Sequence, residues 1–308
     1  MNLYDVIIIG GGPAGLTAGI YASRSKLKTL LIEKSLAGGQ IAITDHIENY
    51  PGFSVGSGQE LTAVMEEQAR KFGTEVMTAA VTTVEQSGSE ILVSTSQGDL
   101  RASAVIVATG CAPRKLNAPG EDEFIGRGVS FCATCDGPFY EELPIMVVGG
   151  GDAAVEEALY LTRYAEKVYL VHRRDALRAT KVVQERAFAN DKIEFVWDSV
   201  VETIYGNETL ERVVVKNLKN GQVKAIPVNG IFIYVGSTPN TGFVAGKVRL
   251  SEKGYIITND RMETSAPGIF AAGDCRQKLL RQVVTATGDG ATAAFAVEKY
   301  LEENQKNS

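Results

Sequence analysis

A glycine-rich turn that occurs twice constrains this chain of 308 residues more than any other feature. Residues 10–15 and 149–154 each follow a short apolar, mostly β-branched run and precede a helical pattern, which predicts a buried parallel strand, a tight turn and a helix. The next strand ends 23 positions after the first glycine in both copies, at Glu33 and at His172. The sequence therefore predicts two βαβ units.

The two turns have the composition of dinucleotide-binding turns. The first glycine permits the sharp turn, the second lets the backbone approach a pyrophosphate, and a small third residue lets the helix pack on the strand. The anion would lie at the helix N-terminus, where unpaired N–H groups face it. The alternative is a glycine turn without a ligand. The predicted contact residues are Gly10, Gly12, Pro13, Ala14 and Gly15 in the first turn, and Gly149, Gly151, Asp152, Ala153 and Ala154 in the second.

The two copies differ at the end of their second strand. Glu33 can accept hydrogen bonds from the hydroxyl groups of an unphosphorylated ribose, as in FAD or NAD. The second copy has His172, Arg173 and Arg174 there, with Arg178 nearby, and three guanidinium groups suit a 2′-phosphate. The second unit is therefore predicted to prefer NADPH. A solvated basic helix start is the alternative.

Other segments are consistent with a nucleotide-binding α/β protein. Residues 105–110 and 268–274 each resemble a strand that ends in a small-residue turn, and the second closes on Asp274. Alternating apolar and polar residues predict small antiparallel sheets after each βαβ unit. The segments concerned are residues 75–84 and 90–96, and then 194–203 and 212–218.

One pair of cysteines has the spacing that is typical of a redox-active disulfide. Cys132 and Cys135 form a Cys-x-x-Cys motif, which permits a small-loop disulfide and lowers the pKa of one thiol. A structural zinc site needs four ligands. The sequence has no second such pair, and its two histidines, His46 and His172, lie far apart.

The remaining residues around this chemistry are less specific. Cys111 and Cys275 are isolated and are predicted to be packed, inert thiols. Asp136 follows Cys135 directly and is the nearest candidate acid or base for a leaving thiolate. An ordinary Asp-Gly turn explains it equally well.

Composition excludes several other classes of protein. Lys and Arg total 31 against 37 Asp and Glu, and the net charge of −6 argues against nucleic acid or an anionic membrane as the main partner. No apolar run approaches the roughly 18 residues of a membrane span. The N-terminus lacks the features of a signal peptide. Four cysteines make no disulfide scaffold. We therefore expect a cytoplasmic location.

Together these motifs resemble the low-molecular-weight, bacterial-type thioredoxin reductases over essentially the full chain. Besides the two turns, the arginine group and Cys132 to Asp136, the matching segments are residues 38–40, 48–52, 108–110, 268–274 and 281–283.

The resemblance implies an α/β fold with two Rossmann-like nucleotide-binding domains, the second inserted in the first. The FAD-binding domain would comprise residues 1–115 and 245–308, and the NADPH-binding domain with the cysteine pair residues 116–244. Implied FAD contacts besides the first turn are Glu33, Lys34, Gly39, Gln40, Asn49, Ala108, Thr109, Gly110, Gly273, Asp274, Arg281, Gln282 and Val283. Implied NADPH contacts besides the second turn are His172, Arg173, Arg174 and Arg178.

The resemblance also implies a mechanism. NADPH would reduce FAD, and the flavin would open the Cys132–Cys135 disulfide through Cys135. Cys132 would then attack the disulfide of thioredoxin, with Asp136 as the acid or base. The NADPH domain would rotate between the two steps, and the protein would be a homodimer.

Two alternatives remain open at the level of sequence. One is a related flavin enzyme that reduces another partner, such as a peroxiredoxin, a glutaredoxin-like protein or a small dithiol. The other is a non-catalytic redox sensor. Pro138 stands where a familiar member of the family has one of two paired aromatic residues, so docking of a given thioredoxin is an open question, with Arg127 and Phe139 as candidate docking residues.

Overall fold

The computed structural model describes residues 3–35, 37–43, 47, 49–53 and 56–306. The helices are α1 Pro13–Arg24, α2 Gly58–Lys71, α3 Ala133–Asp136, α4 Asp152–Leu161, α5 Lys181–Phe188 and α6 Val283–Lys306. The strands are β1 Leu3–Ile9, β2 Thr29–Glu33, β3 Glu75–Thr78, β4 Val81–Ser87, β5 Glu90–Thr95, β6 Gly98–Val107, β7 Cys111–Pro113, β8 Val129–Ser130, β9 Pro144–Gly149, β10 Lys167–Val171, β11 Ile193–Val196, β12 Ser199–Gly206, β13 Leu210–Asn217, β14 Val223–Pro227, β15 Gly230–Tyr234, β16 Ser237–Pro239 and β17 Ile269–Ala271.

The chain divides into two compact units. The first unit comprises Met1–Ala112 and Thr238–Ser308, and the second unit comprises Pro113–Ser237. The chain passes between them through β7 and β16, which pair with each other as a two-stranded sheet. The domain boundaries expected from the sequence, after residues 115 and 244, lie a few residues downstream of these crossings.

A seven-stranded sheet forms the centre of the first unit. Its order is β3-β2-β1-β6-β5-β4, and β17 also pairs with β6. β1 lies in parallel between β2 and β6, and its residues 6–9 are buried because both faces of the sheet are covered. The carboxyl end of β1, where the first glycine turn begins, is therefore fixed on both sides by neighbouring strands.

β6 is long enough to pair with two strands along one edge. Its first half pairs in antiparallel with β5 and its second half in parallel with β17. The expected separate antiparallel sheet for residues 75–84 and 90–96 is therefore wrong in part. Glu75–Thr78 is a parallel edge strand next to β2, and β4 and β5 extend the main sheet. Alternation indicates a half-exposed strand and does not distinguish parallel from antiparallel neighbours.

The second unit repeats the parallel arrangement. Its five-stranded sheet has the order β11-β10-β9-β15-β8, with every pair parallel. A separate antiparallel sheet has the order β12-β13-β14. An antiparallel sheet is expected from residues 194–203 and 212–218. This expectation is correct for β12 and β13, whereas residues 193–196 form the edge strand of the parallel sheet.

Helix packing brings the first glycine turn close to the end of the chain. α1 packs on one face of the sheet, and α6 packs on α1. A methyl group at Gly290 of α6 would overlap the carbonyl oxygen of Ala14, so the two helices touch at backbone distance. Among the described residues, no helix is long and apolar enough to cross a membrane.

Gly15, the last of the three small residues that the first turn requires, tests this close packing. A methyl group on Gly15 would overlap the carbonyl oxygen of Gly10, whereas the second copy carries Ala154 at the equivalent place. We expect Gly15→Ala to lower the free energy of unfolding by roughly 2–4 kcal/mol. The matched control Ala154→Gly costs about 1 kcal/mol. Chemical denaturation followed by circular dichroism compares the two, and equal losses would contradict the close approach.

Candidate functional site

The first glycine turn connects β1 to α1 and leaves a helix start open. Gly10 has a φ of 112°, and a methyl group there would overlap the carbonyl oxygen of Ala108 at the end of the neighbouring strand. Gly12 is the N-cap and has no side chain, and Pro13 is the first helical residue. The N–H groups of the first helical turn are therefore available to an anion, as expected for a pyrophosphate.

Glu33 lies over this turn. Its Oε2 accepts the Gly11 N–H at 2.7 Å, and its Oε1 accepts the Ser35 N–H at 3.2 Å. A methyl group at Gly11 would lie 3.1 Å from the Glu33 Cβ, so the glycine makes room for the acid. The structure thus places Glu33 at the end of β2 beside the turn, where a ribose would pass.

A cleft of about 300 Å³ opens beside the turn within the first unit. Four residues expected from the sequence line this cleft, namely Gly10, Glu33, Lys34 and Thr109. The lining also includes residues that the sequence did not point to, among them Ala79, Ala80, Val81, Asn240 and Phe243. Asn240 is fastened to Thr109 by two hydrogen bonds, one of 2.7 Å and one of 2.9 Å. Its only signal in the sequence is its position just after Pro239.

The Gly38-Gly39 segment also meets the first turn. The Gly38 N–H donates to the Gly11 carbonyl at 2.7 Å, and a methyl group at Gly39 would lie 3.1 Å from the Gly12 Cα. Gln40 follows in the 3₁₀ helix Gly39–Ile43. Residues 48–52 are another of the expected motifs. Its first residue, Glu48, lies outside the described residues, as does His46.

Asp274 is half-buried and has one buried carboxyl oxygen with unused bonding capacity. Among the described residues, its Oδ1 has no hydrogen-bond partner. Burial raises the pKa of Asp274, and the positive charges of Lys278 and Arg281 act in the opposite direction. A buried acceptor without a protein partner indicates a ligand or water.

The segment before α6 carries a second unused polar atom. Arg281 lies over the ring of Tyr255 at 4.2 Å, and within the described part of the chain its buried Nε has no partner. Gln282 accepts a 3.2 Å hydrogen bond from the side chain of Asn49, which joins two residues predicted to contact FAD from distant segments. The first unit therefore brings two of the expected FAD residues, Asn49 and Gln282, into contact.

The second glycine turn has the same form. Gly149 has a φ of 155°, and a methyl group there would lie 2.5 Å from the Tyr234 carbonyl oxygen. Gly151 is the N-cap of α4, and a methyl group on it would meet no described atom within 4 Å. This side of the turn is therefore open to a ligand.

His172 occupies the place that Glu33 has in the first unit. Its ring lies against Gly150, where a methyl group would overlap the ring, and its buried Nε2 has no partner among the residues described. Burial lowers the pKa of His172, and the charges of the three nearby arginines lower it further. The imidazole is therefore neutral near pH 7 and contributes no charge to a phosphate site.

Hydrogen bonds tie the arginine loop to the turn. The Arg178 N–H donates to the Gly150 carbonyl at 2.6 Å, and Asp152 Oδ1 accepts the Thr180 N–H at 2.7 Å. Arg173, Arg174 and Arg178 are exposed around the end of β10. Three exposed guanidinium groups beside an open helix start form an anion-binding surface.

The cysteine pair forms a disulfide in the second unit. The Cα atoms of Cys132 and Cys135 are 5.4 Å apart, and Cys135 is exposed whereas Cys132 is half-buried. Cys132 Sγ accepts the Cys135 N–H at 3.1 Å, a contact that favours negative charge on the sulfur after reduction. Tyr234, which the sequence reasoning did not single out, accepts the Ala133 N–H at 2.9 Å.

Asp136 ends α3 directly after Cys135. Its N–H donates to the Cys132 carbonyl at 3.2 Å, and a 3₁₀ helix, Gly137–Tyr140, follows. Burial raises the pKa of Tyr140, and the charge of Asp136 raises it further. Asp136 thus lies at a turn next to Cys135 in the chain, and its role as an acid or base stays a prediction.

Residues 4–290 of the chain match the pyridine nucleotide-disulphide oxidoreductase family. Two dinucleotide-type turns and a reducible disulfide are the features that such an enzyme needs, and the chain belongs to this family.

Individual relatives narrow this family to one kind of enzyme. The thioredoxin reductase of Bacillus subtilis is 48% identical and covers 99% of this chain and 97% of the relative. The crystal structure of Lactococcus lactis thioredoxin reductase, in its FR conformation, is 49% identical, with a TM-score of 0.96 over 97% of this chain and 99% of that chain. The Streptococcus pyogenes enzyme is 51% identical, with a TM-score of 0.66 over 98% and 99%. These relatives confirm the resemblance and the expected α/β fold with two Rossmann-like domains.

The arginine surface can be tested by cofactor preference. We expect the double variant Arg173→Ala, Arg174→Ala to raise the KM for NADPH by about 10- to 100-fold, because each guanidinium–phosphate hydrogen bond contributes roughly 1.5–3 kcal/mol. The KM for NADH should change little. Arg212→Ala, in the antiparallel sheet of the same unit, is the matched control. Equal losses with both nucleotides would contradict a 2′-phosphate role.

The two free cysteines should not react in the folded protein. Cys111 and Cys275 are buried, and burial raises the pKa of Cys275 to about 12. At pH 8 about one Cys275 in 10,000 is then a thiolate. After mild reduction, we expect a charged maleimide to label only Cys132 and Cys135, and to label all four cysteines after denaturation. Mass spectrometry of the labelled peptides decides, and labelling of native Cys275 would contradict the assignment.

Proposed function

We propose that this chain is a thioredoxin reductase: it uses NADPH and FAD to reduce its Cys132–Cys135 disulfide, and then uses the dithiol to reduce thioredoxin. The observation that carries the proposal is this disulfide, in a chain with two dinucleotide turns whose relatives near 50% identity are thioredoxin reductases.

The family uses FAD and NADPH, and the described residues fit both cofactors. In the first unit, Glu33 and the helix start of α1 would take the ribose and pyrophosphate of FAD, and the buried Oδ1 of Asp274 would accept a hydrogen bond from a hydroxyl group. In the second unit, the open turn at Gly151 and the exposed arginines would take NADPH. When bound, the two cofactors supply a pair of electrons as hydride equivalents.

The cysteine pair performs the exchange with the protein substrate. Two electrons and two protons convert the disulfide into two thiols. Cys132 Sγ, whose charge the Cys135 N–H stabilises, loses its proton and attacks one sulfur of the thioredoxin disulfide, and the other sulfur leaves as a thiolate. Cys135 then attacks Cys132 Sγ, which restores the disulfide of the enzyme and releases thioredoxin as a dithiol. Asp136, the next residue in the chain, would supply or accept the protons.

The second unit carries both the predicted NADPH turn and the disulfide, and the nicotinamide of NADPH and the disulfide must each approach the flavin. We therefore propose that this unit reorients between the two half-reactions, with the paired strands β7 and β16 as the hinge segments. Arg127 and the exposed Phe139 remain the candidate docking residues for thioredoxin.

The assembly and the location are also proposals. The family resemblance implies a homodimer, and several large apolar side chains of the first unit are exposed, namely Leu279, Leu280, Val284 and Phe295. A cytoplasmic location agrees with the single disulfide and the two buried free thiols among the described residues.

The decisive experiment compares cysteine variants with thioredoxins from the same source. The wild type should contain FAD and should reduce thioredoxin with NADPH. We expect Cys132→Ser to abolish thioredoxin reduction, by at least about 1,000-fold, and to retain NADPH-dependent bleaching of the flavin. Cys135→Ser should instead form a stable mixed disulfide with thioredoxin through Cys132.

Each result discriminates between hypotheses. A mixed disulfide formed only by Cys132→Ser would reverse the roles of the two cysteines. A wild type that reduces a glutaredoxin-like protein or a peroxiredoxin but no thioredoxin would establish the alternative partner. A protein that cannot take up FAD would overturn the proposed function.

A further inference from the structure

A buried carboxylate in α6 lies next to the proposed FAD residues without belonging to any of the motifs described above. Asp289 stands between Gly288 and Gly290, and its side chain is 12% exposed. Arg276 and Lys278, at 12% and 8% exposure, lie against it. Buried charges are costly, and a cluster of three is retained only with good pairing.

Both oxygens of Asp289 are occupied. Oδ2 accepts the Gly273 N–H at 3.0 Å and Lys278 Nζ at 2.7 Å, and Oδ1 accepts a guanidinium N–H of Arg276 at 2.9 Å. The Nε of Arg276 donates to Thr258 at 2.9 Å. The cluster therefore holds one backbone N–H and two cations at fixed places.

The backbone group that Asp289 holds belongs to the turn before Asp274. Gly273 has a φ of 76°, and a methyl group on it would lie 2.8 Å from the Cβ of Ala14. A methyl group on Gly290 of α6 would overlap the Ala14 carbonyl oxygen. Asp289 thus lies where the first glycine turn, the Gly273 turn and α6 meet.

The neighbouring Asp274 has the opposite character. It is half-buried, and its buried Oδ1 has no partner among the described residues. Lys278 is close enough to Asp274 to lower its pKa, against the larger effect of burial. Without Asp289, the Gly273 N–H would lose its acceptor and Lys278 would be free to pair with Asp274 instead.

We infer that Asp289 is a positioning residue for FAD: it fixes the Gly273 N–H and keeps Arg276 and Lys278 engaged, so that the Asp274 carboxylate is presented to the cofactor. The inference rests on the proposed function, in which the first unit binds FAD. Asp289 itself does not touch the cofactor in this scheme.

FAD binding to the deflavinated full-length protein tests the inference. We expect Asp289→Ala and the isosteric Asp289→Asn to raise the Kd for FAD by at least about 10-fold, measured by quenching of flavin fluorescence. Lys247→Met is the matched control, because it breaks only an exposed ion pair with Glu85 in the same unit and should change the Kd by less than about 3-fold.

A thermal shift separates positioning from general stability. A ligand that binds only the folded state stabilises it according to its concentration and Kd. At equal FAD concentration, the increase in Tm caused by FAD should be smaller for Asp289→Asn than for the wild type. If the apo and FAD-bound forms lose the same number of degrees, the residue is only structural and the inference is overturned.

The remaining outcomes are distinguishable. If Asp289→Ala does not fold, Asp289→Asn decides the question. A wild type that binds FAD, together with Asp289→Asn of unchanged Kd, overturns the inference and leaves the proposed function intact. A wild type that binds no FAD overturns both.

Discussion

The approach of bare backbone to bare backbone at the glycine turns is the constraint on which the rest of the structure depends. At Gly10 the chain passes so close to Ala108 that any side chain would overlap its carbonyl oxygen, and Gly149 approaches Tyr234 in a similar way. These approaches require a positive φ, which glycine adopts without a steric penalty. Each turn leaves a helix start facing outward at the carboxyl edge of a parallel sheet, where α/β proteins bind ligands.

The side chain that lies over the turn differs between the two units, and this difference favours different ligands. In the first unit a carboxylate accepts the Gly11 N–H, and in the second unit a neutral imidazole lies against Gly150. Glu33 places negative charge where a ribose hydroxyl can donate. His172 places none, and the charge on that surface comes from the arginines beyond it. The repeat therefore conserves the backbone geometry and changes the chemistry.

Local sequence patterns were sufficient to predict the turns, the cysteine pair and the arginine surface, because each depends on residues close together in the chain. Two features escaped prediction. Glu75–Thr78 and Ile193–Val196 alternate like antiparallel strands but pair in parallel, since alternation reports exposure and not direction. Asn240 and Asp289 acquire their roles only through folding, which brings them to Thr109 and Gly273 from distant parts of the sequence. Neither residue has a motif that marks it.

In the second unit, the nucleotide turn and the disulfide are held by the same strand, so a local movement cannot exchange their positions. β15 pairs with β9 up to Tyr234 opposite Gly149, at the start of the second turn, and the hydroxyl group of Tyr234 accepts the Ala133 N–H beside Cys132. Burial raises the pKa of this hydroxyl, so it stays protonated and neutral across the physiological range. One strand thus holds both the nucleotide turn and the disulfide. Because they are fixed to each other, the proposed reorientation would carry the nucleotide turn and the disulfide together.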